Sequence, residues 1–489
     1  MGTTKVNETE LKLELSPDAL GRIKASPLLT GKPKTMSQRS VYFDTPDHKL
    51  RAAGFSLRIR TVDGVRTQTV KADNAKLAGL FVRPEWEFTI SSDLPVLDHS
   101  TPIRSLLEDD VDALQARFDV HVERRMWLLS RDDAKIEAAL DIGRVTVGDR
   151  ETRFCELELE LKNGSSSALF DLAQELDGFA PVRIGVLSKA ARGYKLLGPA
   201  VSVFKAELVQ LDKQITTAAA FQQIAQACIK QYRLNEAVLL AARDAEALHQ
   251  ARVSLRRLRS AFSIFKDVIA DDRSEHLGSE ARWLAGVLGQ ARDIDVLLGK
   301  TELAVLRIRL TEARDSAYDE VEATLGSQRV RAFMLGLAEW ISNGPWLDAA
   351  ETTDLRQVPA VDFASSALER LRKKIKRDGR AIVVIDDEER HKVRKDAKKL
   401  RYASEFFMLL FPGKRGRRRH KRFITILGEL QDQLGALNDM AAGSQLLERI
   451  GLAGEPATAS LIAKGNKRGL LEAAEDAYVD LVDAKRFWR

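Results

Sequence analysis

The stretch Glu8-Thr9-Glu10-Leu11-Lys12 sets charged side chains at every second position, the period of a β-strand, so all its charges lie on one face. The same alternation recurs in Ser56-Leu57-Arg58-Ile59-Arg60 and in Glu156-Leu157-Glu158-Leu159-Glu160. A half-buried antiparallel strand also turns polar residues to water, so alternation alone allows either open surface or an enclosed site. The kind of charge favours a site. Carboxylates at both ends of the region suit a hard divalent cation, and paired arginines suit phosphate oxygens. Acid and base on matching faces imply a pocket for a metal and a phosphate compound.

Working outward, residues 5 to 195 read mostly as strands: 6–15, 38–45, 55–61, 65–72, 82–90, 124–130, 134–142 and 153–162. Turn signals such as Asp63-Gly64, Asp132-Asp133 and Asn163-Gly164 separate them. Eight antiparallel strands predict a barrel. Because Leu11, Leu13, Leu57, Ile59, Leu157 and Leu159 alternate against the charges, a charged lumen puts the apolar face outside, where helices must cover it. The amphipathic segments near 17–25, 102–116 and 168–177 are suited to that.

Gly198-Pro199 marks a break, after which the sequence reads as almost entirely helical. The expected organisation is a barrel domain over 1–200, a linker over 201–215 and a helical domain over 216–489. The fold class is therefore α+β multidomain, an eight-stranded antiparallel β tunnel with outer helices followed by an all-α helical bundle. Within the helical half, His249-x-x-Arg252-x-x-x-Arg256-x-x-Arg259 resembles His391-x-x-Arg394-x-x-x-Lys398-x-x-Arg401. Each is followed at a similar distance by a second signature, Leu288-Gly289-Gln290-Ala291-Arg292-Asp293 and Leu434-Gly435-Ala436-Leu437-Asn438-Asp439. This reads as an internal duplication, with repeats of about 216–345 and 360–489.

The four basic positions of each copy fall within an arc of roughly 80° on a helix. Leu255, Leu258, Phe262 and Phe265 fall on the opposite side. No acid occurs from His249 to Lys266; between Arg390 and Arg422 the acids are Asp396 and Glu405, while Lys414, Arg415, Arg417, Arg418, Arg419, Lys421 and Arg422 extend the basic surface. Solvated helices mix signs for support between neighbouring turns, so such a stripe calls for an external anion or an acidic partner helix. Single-strand and RNA binders interleave stacking aromatics with their bases, and the first stripe has none. A phosphate chain without bases fits better than nucleic acid.

Bulk properties agree with this but do not decide it. The chain has 489 residues, 77 lysines plus arginines against 71 acids, and a net charge of +6, so the clustering of bases matters more than their sum. Two cysteines, Cys155 and Cys228, are too few for a disulfide framework or thiolate zinc site and favour a reducing compartment. No apolar stretch reaches spanning length and the first residues carry no secretory pattern, so a cytoplasmic location without a membrane partner is expected. His48, His99, His121, His276 and His420 lack ligand-like spacing and read as solvated or structural.

The N-terminal region resembles the CYTH family, the triphosphate tunnel metalloenzymes. The marks are Glu8-x-Glu10-x-Lys12, Tyr42-Phe43-Asp44-Thr45-Pro46, Leu57-Arg58-Ile59-Arg60, Lys71, Arg83-Pro84-Glu85, Arg124, Asp141, Glu156-x-Glu158 and Ser188-Lys189-Ala190-Ala191-Arg192-Gly193-Tyr194. The C-terminal region resembles the CHAD family, conserved-histidine α-helical domains, and the pairing is similar to that of bacterial inorganic triphosphatases. The resemblance implies hydrolysis of inorganic triphosphate with Mg²⁺ or Mn²⁺ in the tunnel and binding of inorganic polyphosphate by the helices, with association to polyphosphate granules. It implies that Glu8, Glu10, Glu156 and Glu158 hold metal, with Asp141 and Glu160 as further candidates. By the same resemblance Lys12, Arg58, Arg60, Lys71, Arg83, Arg124 and Lys189 grip phosphate. Glu8, Glu10, Lys12, Arg58, Arg60 and Glu158 are the catalytic set, with Lys12 or a lumen glutamate able to orient the attacking water. His249, Arg252, Arg256, Arg259, His391, Arg394, Lys398 and Arg401 are the polyphosphate-binding set. Two alternatives stay open: a related reaction on ATP or thiamine triphosphate, and a non-catalytic granule protein.

Overall fold

The alternating stretch forms β1, Thr4–Leu15, in a computed structural model that describes residues 4–72, 79–199, 203–301, 303–449 and 467–489. It is followed by β2 (Lys34–Asp44), β3 (Phe55–Val62), β4 (Val65–Ala72), β5 (Leu80–Ile90), β6 (Gln115–Arg131), β7 (Ala134–Val147) and β8 (Arg150–Asn163). Neighbours pair antiparallel in the order β5-β4-β3-β2-β6-β7-β8-β1, and β1 also pairs with β5. The sheet therefore closes into an eight-stranded barrel, which leaves no long unpaired edge. A short ninth strand, β9 (Val182–Ile184), pairs with Leu13–Leu15 of β1, beyond the point where β5 leaves it.

The register sets the faces. Glu8, Glu10, Lys12 and Glu14 point inward, while Leu11 and Leu13 are fully buried on the outside. Two groups of helices cover that exterior. Short α2 (Lys49–Ala52) and α3 (Ile103–Leu107) complete an apolar cluster with Phe43, Leu57, Ile59 and Val70. On the other side lie α1 (Pro17–Lys24) and α4 (Ser167–Phe179), the latter packed against β1, β8 and β9. The segment predicted as one helix over 102–116 is shorter: α3 gives way to a 3-10 turn, Glu108–Ala113, and β6 begins at Gln115. The physical reason is pairing, since Gln115 to Met126 of β6 match β2 from Asp44 back to Lys34, with one register shift, and tertiary hydrogen bonding overrides a local helical pattern.

The interior is not charged throughout. At one end Tyr42, Phe118, Val120, Val122, Val145 and Phe154 form an apolar core with Ala190 and Tyr194 of α5 (Lys189–Leu197). Gly193 lets α5 lie flat there, because a Cβ at that position would sit 2.2 Å from the Phe118 ring. Tyr194 also fixes the Tyr-Phe-Asp-Thr-Pro motif. Its hydroxyl donates to Asp44 at 2.6 Å, and the same buried carboxylate accepts from the backbone N–H groups of Thr45, Leu50 and Arg51. Hydrogen bonds to buried charge contribute about 1.5–3 kcal/mol. Tyr194→Phe is expected to lose roughly that much stability in urea unfolding, with no change in denaturant slope.

The helical half contains α6 (Thr217–Ala242), α7 (Ala245–Ile264), α8 (Asp272–Lys300), α9 (Ala304–Gly326), α10 (Gln328–Asn343), α11 (Thr353–Gln357), α12 (Ala360–Asp378), α13 (Asp387–Phe407), α14 (Lys414–Arg449) and α15 (Lys467–Asp483). Two compact units result: Met1–Ser202 with Gly326–Gly344, and Val203–Leu325 with Pro345–Arg489. Helix α10 thus belongs to the barrel unit, packed against α4 and β9. In the helical unit the two repeats start side by side. The Thr217 N–H donates to the Val358 carbonyl and the Ala360 N–H to the Ile215 carbonyl, both at 2.9 Å, a reciprocal pairing of the starts of α6 and α12. Arg257 of α7, buried between the Tyr402 and Phe406 rings, pairs with Glu405 of α13 and ties the copies together. Among the described residues, no helix is long and apolar enough to cross a membrane.

Candidate functional site

The charged part of the lumen is a cavity of about 390 Å³ lined by Glu8, Glu10, Lys12, Arg58, Arg60, Lys71, Arg83, Arg124, Glu158 and Lys189, among others. All of the sequence-predicted tunnel residues except Asp141 and Glu156 lie on its lining, and those two are fully buried. The register explains the convergence: across β7, β8 and β1, Asp141 faces Glu156 and Glu156 faces Glu14, while Ala139 faces Glu158 and Glu158 faces Lys12.

At the deep end three carboxylates meet. Asp141, Glu156 and Glu158 each bring an oxygen within 4.8 Å of the others. Lys189 reaches all three at 2.7 Å. Arg124 bonds Asp141 through two nitrogens at 2.7 and 2.6 Å and reaches Glu158 at 2.6 Å. Lys12, only 1% exposed, pairs with Glu158, with Glu10 at 3.1 Å and with Glu156 at 3.4 Å. Burial alone would push Glu158 up, but the attraction of Lys12, Lys189 and Arg124 outweighs it and holds the carboxyl well below its ordinary range. The same balance lowers Glu156 and raises Lys12 well above the usual amine value.

An all-oxygen donor set is what a hard divalent cation takes, in contrast to a thiolate-favouring ion. The trio therefore offers the donors such a cation takes, in exchange for the Lys189 ammonium that lies 2.7 Å from all three, and Glu10 shares Lys12 with Glu156 and Glu158. Glu8, also assigned to metal from the sequence, is engaged differently: Lys71 approaches it at 2.6 Å and Arg83 at 3.5 Å.

The cations are unequal. Arg60 pairs with Glu87 at 3.3 Å, Lys71 with Glu8 and with Glu85 at 3.3 Å, and Arg83 with Glu8 and with Glu10 at 3.7 Å. Arg58 alone among the sequence-predicted lumen cations has no carboxylate within ion-pair distance among the described residues, and its buried Nε has no hydrogen-bond partner. Burial disfavours the Arg58 charge, but Tyr42, Glu85 and Glu87 outweigh it and raise its pKa, so the guanidinium stays charged while no carboxylate among the described residues comes within ion-pair distance. Sequence reasoning missed Glu137, Lys162 and Thr69, which also line the cavity. Their signal was available, since Glu137 lies opposite Glu160 in the β7–β8 register and alternation points it inward.

In the helical unit all eight predicted stripe residues are half-buried. The signature glycines lie against the stripe arginines: a Cβ on Gly289 would crowd the Arg252 guanidinium at 3.2 Å, whereas one on Gly435 would be in ordinary contact with that of Arg394 at 3.7 Å. His391 Nδ1 lies 2.7 Å from Asn438 Oδ1. The corresponding His249 faces Arg292 instead, and its buried Nδ1 has no hydrogen-bond partner. Burial, then Arg292, Arg256 and Arg252, push His249 down to about 4. Burial and the cations Lys395, Arg394 and Lys398 lower His391 as well, against the bond to Asn438. Arg252 is also depressed, by burial first and then by cations that include Arg394 of the other copy. Neutralisation within the unit is partial: Asp293 lies 3.7 Å from Arg252 and Glu405 lies 3.1 Å from Arg401. The side chain of Asp439 lies outside the described residues. His420 is buried, with Nε2 3.1 Å from the Ser404 carbonyl, a structural role.

Comparison with known proteins also finds two domains, although the helical match includes α10, which packs in the barrel unit. The CYTH domain profile matches residues 7–194 and the CHAD domain profile residues 223–448. An inorganic triphosphatase of Haemophilus influenzae is 31% identical over 208 residues, 40% of this chain and 56% of that protein, so the match spans little more than half of the relative. An uncharacterized protein of Mycobacterium tuberculosis is 27% identical over 423 residues, 79% of this chain and 77% of its own. The crystal structure of the CHAD domain from the plant Ricinus communis is 28% identical and covers 59% of this chain and 98% of that one, with a TM-score of 0.48. The chain therefore joins a CYTH domain, an eight-stranded antiparallel tunnel, to an all-helical CHAD domain.

Proposed function

We propose that the tunnel hydrolyses inorganic triphosphate with Mg²⁺ or Mn²⁺, and that the helical unit binds inorganic polyphosphate. The observation that carries the first part is the lumen itself: guanidinium and ammonium groups converge on one cavity together with an all-oxygen carboxylate trio. Tyr42, the aromatic side chain on the lining, is already stacked on Phe118 at 4.7 Å, so a nucleobase gains no free stacking wall. That favours a triphosphate without a base over ATP. The apolar core beneath α5 closes one end, so the substrate enters from the charged mouth.

A triphosphate carries several negative charges, and hydrolysis requires that they be neutralised while water attacks the terminal phosphorus in line with the departing oxygen. A bound Mg²⁺ or Mn²⁺, held by Asp141, Glu156 and Glu158 with Glu10 nearby, supplies neutralisation of phosphate oxygens and polarises the phosphoryl group. Arg58 and Arg60 offer planar bidentate contacts, and Lys12, Lys71 and Lys189 act as point charges. Glu160 differs from the deep carboxylates: burial, with Glu8 and Glu137 nearby, raises its pKa against the pull of Lys162, which suits it to accept a proton from water. The test is phosphate release from tripolyphosphate, ATP and long polyphosphate with and without Mg²⁺ or Mn²⁺. Metal-dependent turnover that prefers tripolyphosphate is expected; cyclic AMP from ATP would instead identify a cyclase, and no turnover of any substrate would reject an enzyme.

The helical reading is supported by two half-buried cationic stripes whose members depress one another. Polyphosphate binding should weaken steeply with salt, through counterion release, and should fall further in the joint His249→Ala, His391→Ala variant. Unperturbed imidazoles would protonate in mild acid and tighten binding, but His249 is held at about 4 and His391 is lowered too. Affinity is therefore expected to tighten less in mild acid than two unperturbed imidazoles would produce, with no contribution from His249; tightening that is lost in His249→Ala would mean that this imidazole binds as a cation. Association with polyphosphate granules follows from the same reading.

A further inference from the structure

Helix α10 comes from the second half of the sequence, yet it is built into the barrel unit. It runs beside α4 with a polar contact at each end. Ser166, just before α4, donates its hydroxyl to Asn343 Oδ1 at 2.8 Å, and Arg331 Nε donates to Asp177 Oδ1 at 2.5 Å. Arg331 and Asp177 are both buried, 8% and 6% exposed. Arg331 is itself anchored, since its Nη1 donates to the Gly326 carbonyl at 2.6 Å.

Asp177 does more than accept Arg331. The same Oδ1 accepts the Val182 N–H at 3.0 Å, fixing the first residue of β9. Strand β9 pairs with Leu13–Leu15 of β1, and immediately after it the Gly185 N–H donates to the Lys12 carbonyl at 2.8 Å. Gly185 also leaves space for the Lys12 side chain, because a Cβ there would sit 2.8 Å from Lys12 Cγ. A continuous series of direct contacts thus runs from α10 to the residue that joins Glu10, Glu156 and Glu158.

We propose that α10 is a positioning element of the tunnel, with Arg331 and Asp177 as positioning residues that set β9 and through it Lys12. This rests on the triphosphatase reading for its activity consequence, but not for its structural content. A buried guanidinium bonded to a buried carboxylate is rigid because breaking either end leaves an uncompensated charge, and a small shift of a lumen group is costly in rate. A residue that merely helped the fold would lower the melting temperature and leave the site unchanged at temperatures far below it.

The test uses the full chain. In Arg331→Ala, amide hydrogen exchange at Val182 and Gly185 should accelerate about tenfold, as local opening becomes easier. The kcat on tripolyphosphate should fall about tenfold with KM nearly unchanged, since the other lumen cations still hold substrate. Asp177→Ala, which removes both bonds, should do more; Arg331→Lys should recover part of the loss. Asn343→Ala, at the far end of α10, should alter neither readout. Unchanged exchange at Val182 and Gly185 in a folded Arg331→Ala protein would overturn the proposal, as would faster exchange with kcat untouched. If the wild type turns over no tripolyphosphate, the activity reading fails by itself, and the exchange measurements still decide whether α10 holds β9.

Discussion

Replacing Arg58 by alanine is expected to lower kcat/KM for tripolyphosphate by about 10³-fold, the order by which a guanidinium that meets transition-state charge accelerates phosphoryl transfer, with little loss of stability. The asymmetry follows from the ion pairing. Removing Lys12, Arg83, Arg124 or Lys189 would take a cation from a buried carboxylate, so their variants mix folding and function. Arg58 has no carboxylate partner to strand among the described residues, and its buried Nε is without a hydrogen bond. Arg58→Lys should recover only part of the rate, because an ammonium keeps the charge and loses the planar two-point contact. Steady-state kinetics together with urea unfolding would check both halves; a large stability loss in Arg58→Ala would mean that the guanidinium is a structural member of the wall.

The second large effect is expected at Glu158, where both quantities should fall. This carboxylate touches Lys12, Lys189 and Arg124 and belongs to the oxygen trio. Glu158→Ala breaks a buried network by removing one partner, at a cost of about 3 kcal/mol, and should abolish measurable metal-stimulated turnover. Its acid sensitivity should change in a defined direction. The folded-state pKa of Glu158 is depressed, as are those of Glu156 and Glu8, so each contributes stability at pH values above its unfolded pKa, near 4.3. That stability is lost as pH falls below this value through the folded pKa, because the unfolded chain then binds more protons. Wild-type stability should therefore drop steeply under acid, and Glu158→Ala should show a shallower slope over the same window. Equal slopes in the two proteins would place the stabilising carboxylates elsewhere.

Much of this architecture was legible in the sequence. Period-two alternation in β1, β3 and β8 fixed which side chains share a face, because a strand has only two faces. The repeat of the His-Arg stripe and the Leu-Gly signature suggested a duplication, and the starts of α6 and α12 exchange backbone hydrogen bonds at Thr217 and Ala360. Sequence also placed the carboxylates and guanidiniums on one barrel face, where the lumen cavity gathers them.

The rest depended on distances between residues far apart in the chain. No local pattern distinguishes Arg58 from Arg60, yet among the described residues only Arg60 comes within ion-pair distance of a carboxylate, Glu87. Alternation could not tell that one end of the interior is an apolar core closed by α5, since that requires Phe118, Phe154 and Tyr194 to meet. The histidines of the stripes look titratable in sequence, and burial beside Arg292 and its neighbours makes His249 neutral down to about 4. Helix α10 reads as one more amphipathic helix of the second half, and only packing against α4 and β9 assigns it to the barrel. Periodicity is a property of a few consecutive residues and survives in the sequence; charge compensation and docking depend on inverse distance and contact, which exist only once the chain has closed on itself.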